Sequence, residues 1–167
     1  MKRSIILLIV IAVFYSYANA QPVLTYANNA LKADVDNPMS YCNYRDAGLA
    51  GENITWNFSD LEFVRSFTGY LKNSILTEIG VNFSESNTEL AEFDARFYFN
   101  VNENDIKQYG YSSADGKLQT RYELPFVKMK YPFSYGDIFS GSFTGTTFYA
   151  GIERGEITGF LPQVHRV

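Results

Sequence analysis

Cysteine is almost missing from this chain of 167 residues: Cys42 stands alone, so no internal disulfide can brace the fold and stability must come from a packed core. Histidine is as scarce. The only one, His165, lies near the far end of the chain from Cys42, which leaves a thiol–imidazole pair unsupported and an inert, part-buried thiol as the ordinary reading. A serine nucleophile fares no better, because no G-x-S-x-G turn occurs and Ser140 and Ser142 flank Gly141 inside strand-like sequence. Long helix-forming runs, internal repeats and linkers are absent from residues 21–167. What remains is one domain without a catalytic constellation, long enough to bury a core.

The single long apolar run is at the start. Lys2 and Arg3 precede Ile5–Phe14, a stretch too short to span a bilayer comfortably, and Ala18-Asn19-Ala20 supplies the small residues of a cleavage site. Residues 1–20 therefore read as a secretory signal peptide removed before Gln21, with a retained signal anchor as the competing reading. A lipid anchor would need a cysteine directly after the cleavage point, where Gln21 stands. Cleavage leaves no membrane span. It also leaves 12 basic residues against 18 acidic, a net charge of −6. Such a surface repels phosphate, which argues against nucleic acid and anionic lipid as partners. The expected location is secreted: extracellular, or periplasmic within the cell envelope.

What the chain has in abundance is aromatic. Its 14 Phe and 13 Tyr, against one Trp, suit the half-buried pleated surface of a sheet. The clearest stretch is Leu124–Tyr149, in which Val127, Met129 and Tyr131 share one face and Phe139, Gly141, Phe143, Gly145 and Thr147 follow at even spacing, with Pro132 and Gly136 between. It reads as the core hairpin of a β protein. Before it, Pro22–Tyr26 and Leu31–Val35 read as short strands, Asp36–Glu52 as an irregular connection, and Asn53–Phe58 as a strand with Trp56 buried. Leu61–Leu71 alternates again. Thr77, Ile79, Val81 and Phe83 alternate like a strand, and Glu85–Glu92 reads as loop with one helical turn. Ala95, Phe97 and Phe99 lead to a polar tip at Asn100–Asp105 and back through Ile106–Tyr111, and Asp115-Gly116 is a type I′ hairpin signal leading into Leu118–Tyr122. Val164–Val167 reads as the start of a further strand, so C-terminal strands are expected to be missing. The fold class that follows is all-β: a single domain over residues 21–167, built as an antiparallel β-sandwich or jelly roll.

Candidate sites are few. Tyr109, Tyr111, Tyr122, Tyr131 and Tyr135 cannot all be buried without partners for their hydroxyls, so part of the set is expected on a rim or an exposed sheet face. Aromatics so placed stack on sugar rings or anchor a protein; core and edge packing is the plainer reading. Oxygen-rich turns at Asp34 and Asp36, and at Asn102, Asn104 and Asp105, are candidate Ca²⁺ ligands, although neither has the Gly and Glu of an EF-hand and hairpin tips are polar anyway. No other cofactor is implied. Glu85 with Glu89, or Glu153 with Glu156, would suit glycosidase chemistry only if facing across a cleft, and a solvated face is the simpler reading for both.

Three segments carry a resemblance. Asp46–Ser59 (DAGLAGENITWNFS), Lys130–Asp137 (KYPFSYGD) and Gly155–Val167 (GEITGFLPQVHRV), behind a signal that ends in Ala before Gln21, resemble the N-terminal β module of secreted Bacteroidetes proteins that often carry a type IX secretion sorting domain. The resemblance implies an envelope or extracellular β module. It brings no catalytic residues, and no sorting domain is expected after Val167. The functional expectation is a non-catalytic module, not an enzyme, that binds a protein or glycan or forms a structural part of a surface or exported assembly. The alternative is a glycan-processing enzyme or its carbohydrate-binding accessory domain.

Overall fold

The computed structural model describes residues 23–49, 54–134 and 136–165, with side chains as far as residue 160. The signal-peptide expectation, on residues 1–20, lies outside the described residues. Eight strands form one antiparallel sheet: β1 (Val35–Cys42), β2 (Phe63–Lys72), β3 (Thr88–Glu92), β4 (Ala95–Val101), β5 (Asp105–Ser113), β6 (Leu118–Lys130), β7 (Ile138–Tyr149) and β8 (Ile152–His165). The all-β antiparallel class expected from alternation and turn spacing is present. Its connectivity among the described residues is a meander, in which every strand pairs with its neighbours in sequence and no crossover occurs. Among the described residues, helix is confined to the single turn α1 (Tyr26–Asn29) and to 3-10 turns at Ser74–Leu76 and Gly80–Asn82. No helix among the described residues is long and apolar enough to cross a membrane.

Residues directly opposite in an antiparallel pair share a face, so the registers sort the side chains into two sides. One side follows Leu71, Leu90, Phe97, Tyr111, Thr120 and Thr147 from β2 to β7. Here the core forms: Phe99, Val101, Ile106 and Tyr131 are buried, with Leu90, Phe97 and Met129 packed on them. The N-terminal segment covers this cluster with Ala30 and Leu31. It is pinned by a two-way backbone bridge between Leu24 and Phe133 and by the Tyr131 hydroxyl, which donates to the Asn29 carbonyl at 3.0 Å. The other side follows Glu89, Tyr98, Gly110, Arg121, Thr146 and Glu156. Near its centre the chain between β2 and β3 folds over it and lays Phe83 on Tyr98.

The alternating runs of β2 and β4 to β7 lie close to where sequence pattern placed them, and the departures have physical causes. Asp36–Glu52 is not wholly irregular, because Val35–Cys42 pairs with β2. At a sheet edge only one ladder has to be satisfied, which tolerates Pro38 and the turn-forming residues around it. Residues 54–58 form no strand, and Trp56 is 56% exposed with its indole N–H on the Leu49 carbonyl at 3.2 Å. The alternation is there, but residues 43–62 are the connection between two strands already paired, so no ladder is free to receive it.

Thr77–Phe83 turns in place of extending. Gly80 packs so closely on the Ser74 carbonyl that no Cβ would fit, and the reversal aims Phe83 at the sheet. Thr88–Glu92 is a strand and not a helical turn, since β2 and β4 flank it on both sides. Pro22–Tyr26 contributes a single bridge at Leu24, and Leu31–Asp34 is irregular. The turn at Asp115-Gly116 is of another kind than expected. Only Gly116 takes a left-handed φ, +70°, and its N–H bonds the Ser113 carbonyl, so the four residues 114–117 between β5 and β6 form the loop in place of a two-residue type I′ turn.

Candidate functional site

An aromatic cluster of half-buried rings with one exposed member lies where β1 and β2 leave the core. Their register places Met39 opposite Phe67 and Tyr41 opposite Arg65, so these four side chains share one face. The β3–β4 turn adds Phe93. Its ring meets Phe67 at 5.1 Å and Tyr41 at 5.5 Å, while Tyr41 and Phe67 lie 4.8 Å apart, a closed triangle of tilted and edge-on contacts. The Arg65 guanidinium sits 4.5 Å above the Tyr41 ring. Phe93 remains 52% exposed in this cluster, and Phe63, two residues from Arg65, is exposed as well.

The turn that presents Phe93 is strained. Phe93 and Asp94 have φ of +53° and +59°, the left-handed pair of a type I′ turn that ordinarily takes Asn-Gly. Each non-glycine residue held there costs on the order of 1 kcal/mol. Beside the turn, β2 has run past its pairing with β3, and a notch of about 250 Å³ opens between Thr68, Tyr70, Phe93, Asp94 and Arg96.

Behind the notch is a buried charge. Glu89 is fully enclosed and accepts from Arg96 Nη1 at 3.0 Å, from Thr77 Oγ1 at 2.6 Å and from the Tyr70 hydroxyl at 3.3 Å. A carboxylate with three donors is satisfied without water. Burial pushes the Tyr70 phenol above its ordinary pKa, with Arg96 opposing and Glu89 reinforcing the shift. Tyr98, directly opposite Glu89 and bonded to Ser112, is shifted upward chiefly by burial too.

The residues singled out from sequence are placed differently. Tyr131 is in the core, its hydroxyl committed to Asn29, and Tyr135 lies outside the described residues. Tyr109, Tyr111 and Tyr122 are half-buried on β5 and β6, with Tyr111 6.5 Å from Phe97 and Tyr122 5.3 Å from Phe143. Burial, with Tyr111 nearby, pushes the Tyr122 phenol up to about 12. None of these joins the Tyr41–Phe67–Phe93 cluster.

The polar tip spends its oxygens on itself. Asn102 Oδ1 accepts the backbone N–H groups of Asn104 and Asp105, Asn102 Nδ2 donates to Asp105, and Asp105 pairs with Lys107 at 2.9 Å. Asp34 and Asp36 are exposed at the start of β1, and among the described residues no group of three or more His, Cys, Asp or Glu gathers as metal ligands would. Glu89 corrects the solvated-face expectation, whereas Glu153 and Glu156 are exposed. Cys42 and His165 lie on β1 and β8, the two edge strands of the sheet.

Sequence pattern missed Tyr41 because turn formers surround it, and Phe93 because a hairpin turn without glycine carries no local signal. Compared with known proteins, the chain matches no family model, and no curated protein or solved structure is significantly similar to it.

Proposed function

We propose that this chain is a secreted, non-catalytic β module that works by binding a protein partner at the cell surface or in an exported assembly. The observation that supports it is the Tyr41–Phe67–Phe93 cluster, with Phe93 held half in solvent by a strained turn. A turn that costs stability and exposes a large ring is retained where that ring is used. Clustered aromatics flanked by an arginine have the composition of interface anchors, and they exclude water well when covered. The resemblance to secreted Bacteroidetes modules agrees with this reading.

The test is a binding screen of the chain against envelope and surface proteins, with Phe93→Ser as the control. A partner bound by the parent and lost in the variant, with the fold retained, is the expected result. Turnover of a glycoside by the purified chain would replace this reading with the enzymatic one.

A further inference from the structure

A second recess lies far along the sheet from the aromatic cluster, on the opposite side. β6 and β7 stop pairing after Leu124 and Thr144; from there β6 continues against β5 alone and β7 against β8 alone. The ladder slips between Tyr122 and Leu124, which leaves Glu123 as the extra residue at the fork. Bulges of this kind re-aim a side chain. A groove of about 470 Å³ opens at this point, lined by Glu123, Thr144, Thr146, Glu156 and Thr158 among others.

Three threonines and two glutamates line it, with Gly145 and Ile157 between them. Thr144 and Thr146 alternate along β7, opposite Thr158 and Glu156 of β8, so two hydroxyls, a third hydroxyl and a carboxylate form one patch on one face. Thr146 Oγ1 donates to one oxygen of Glu123 at 2.9 Å, which fixes that carboxylate and leaves its other oxygen to the groove. Ser142 continues the hydroxyl row, and opposite it stands Phe160, on the same face as Thr158 and 65% exposed.

We propose that this groove binds a neutral saccharide. Vicinal sugar hydroxyls donate well to carboxylates, and threonine hydroxyls can both donate and accept. Beyond the groove lining, two residues on from Thr158 along the same face, the exposed Phe160 ring offers the apolar face on which the C–H side of a pyranose packs. The acidic lining and the acidic chain select against charged, anionic polymers. A divalent cation would be served poorly, because two carboxylates meet here with no third acid among the described residues. This site goes beyond the aromatic-cluster reading and is independent of it.

The experiment is a titration of the isotope-labelled full chain with neutral oligosaccharides of glucose, mannose, xylose and N-acetylglucosamine, followed by amide chemical shifts. At least one is expected to give saturable shifts at residues 144–146 and 156–160, with Phe160→Ala and Glu156→Gln each weakening it about tenfold while the rest of the spectrum is retained. No saturable shift with any of the four would overturn the proposal. Shifts confined to Tyr41, Phe67 and Phe93 would overturn it as well, and would leave the aromatic cluster as the binding surface. Calcium chloride alone moving the groove resonances would assign a cation site in its place.

Discussion

Phe83 lies flat on Tyr98, with ring centroids 3.9 Å apart and planes 8° from parallel, and both rings are buried. The contact joins the irregular chain between β2 and β3 to the centre of the sheet. It is possible because Gly110, opposite Tyr98 on β5, has no side chain: a Cβ there would strike Phe83 and the Thr120 carbonyl. Removing the ring should therefore release the whole segment.

Phe83→Ala is expected to destabilise the fold by about 3–5 kcal/mol, the range for truncating a buried phenylalanine. Urea unfolding measures it. Gly110→Ala should lose stability by displacing the same ring, and combining the two changes should cost less than their sum, because one contact is lost twice.

Glu89→Gln leaves Arg96 without its counter-charge and weakens the Thr77 and Tyr70 bonds to the carboxylate. Arg96 is a quarter exposed and can turn to water, so the loss is expected near 2–3 kcal/mol, below that of a pair broken in full burial. The double change Glu89→Leu with Arg96→Met should be less damaging than Glu89→Gln alone, since it leaves no orphaned charge. Denaturant midpoints of the three chains decide this.

Asp94→Gly removes a side chain from a left-handed position without touching the Phe93 ring. The expected gain is about 0.5–1 kcal/mol, seen by calorimetry as a rise of roughly 1–4 °C in Tm. A fall in Tm would mean that the Asp94 side chain supports the turn.

Alkaline pH should unfold the protein by way of its tyrosines. Burial raises the phenols of Tyr70, Tyr98, Tyr122 and Tyr131, with Tyr122 at about 12. An acid whose pKa is higher folded than unfolded keeps its proton longer in the native state. Stability from these groups is therefore complete below the unfolded value of about 10 and is lost as pH rises from there toward 12. Phenolate absorbance of these buried tyrosines should rise together with loss of the far-ultraviolet β signal.

Much of the sheet was legible in the chain itself. Period-two alternation in Phe97–Val101, Ile106–Ser112 and the Leu124–Tyr149 run marks the strands, and the break at Pro132–Gly136 separates β6 from β7, but bulges in β5 and β6 switch the face that the alternating residues occupy. Local pattern decides such elements because neighbouring strands in a meander are neighbours in sequence. Tertiary structure decided the rest. Trp56 alternates as faithfully as Phe97 yet stays exposed, because burial requires a partner strand and β1 and β2 already hold each other. Glu89 looks like a solvated loop residue in sequence and becomes the buried centre of a hydrogen-bonded cluster, since Thr77, Tyr70 and Arg96 converge on it from three different segments. The aromatic triangle likewise draws Tyr41, Phe67 and Phe93 from β1, β2 and a turn. Alternation is a property of a strand, but a site is a property of the distances between strands, and no single segment of the chain contains those.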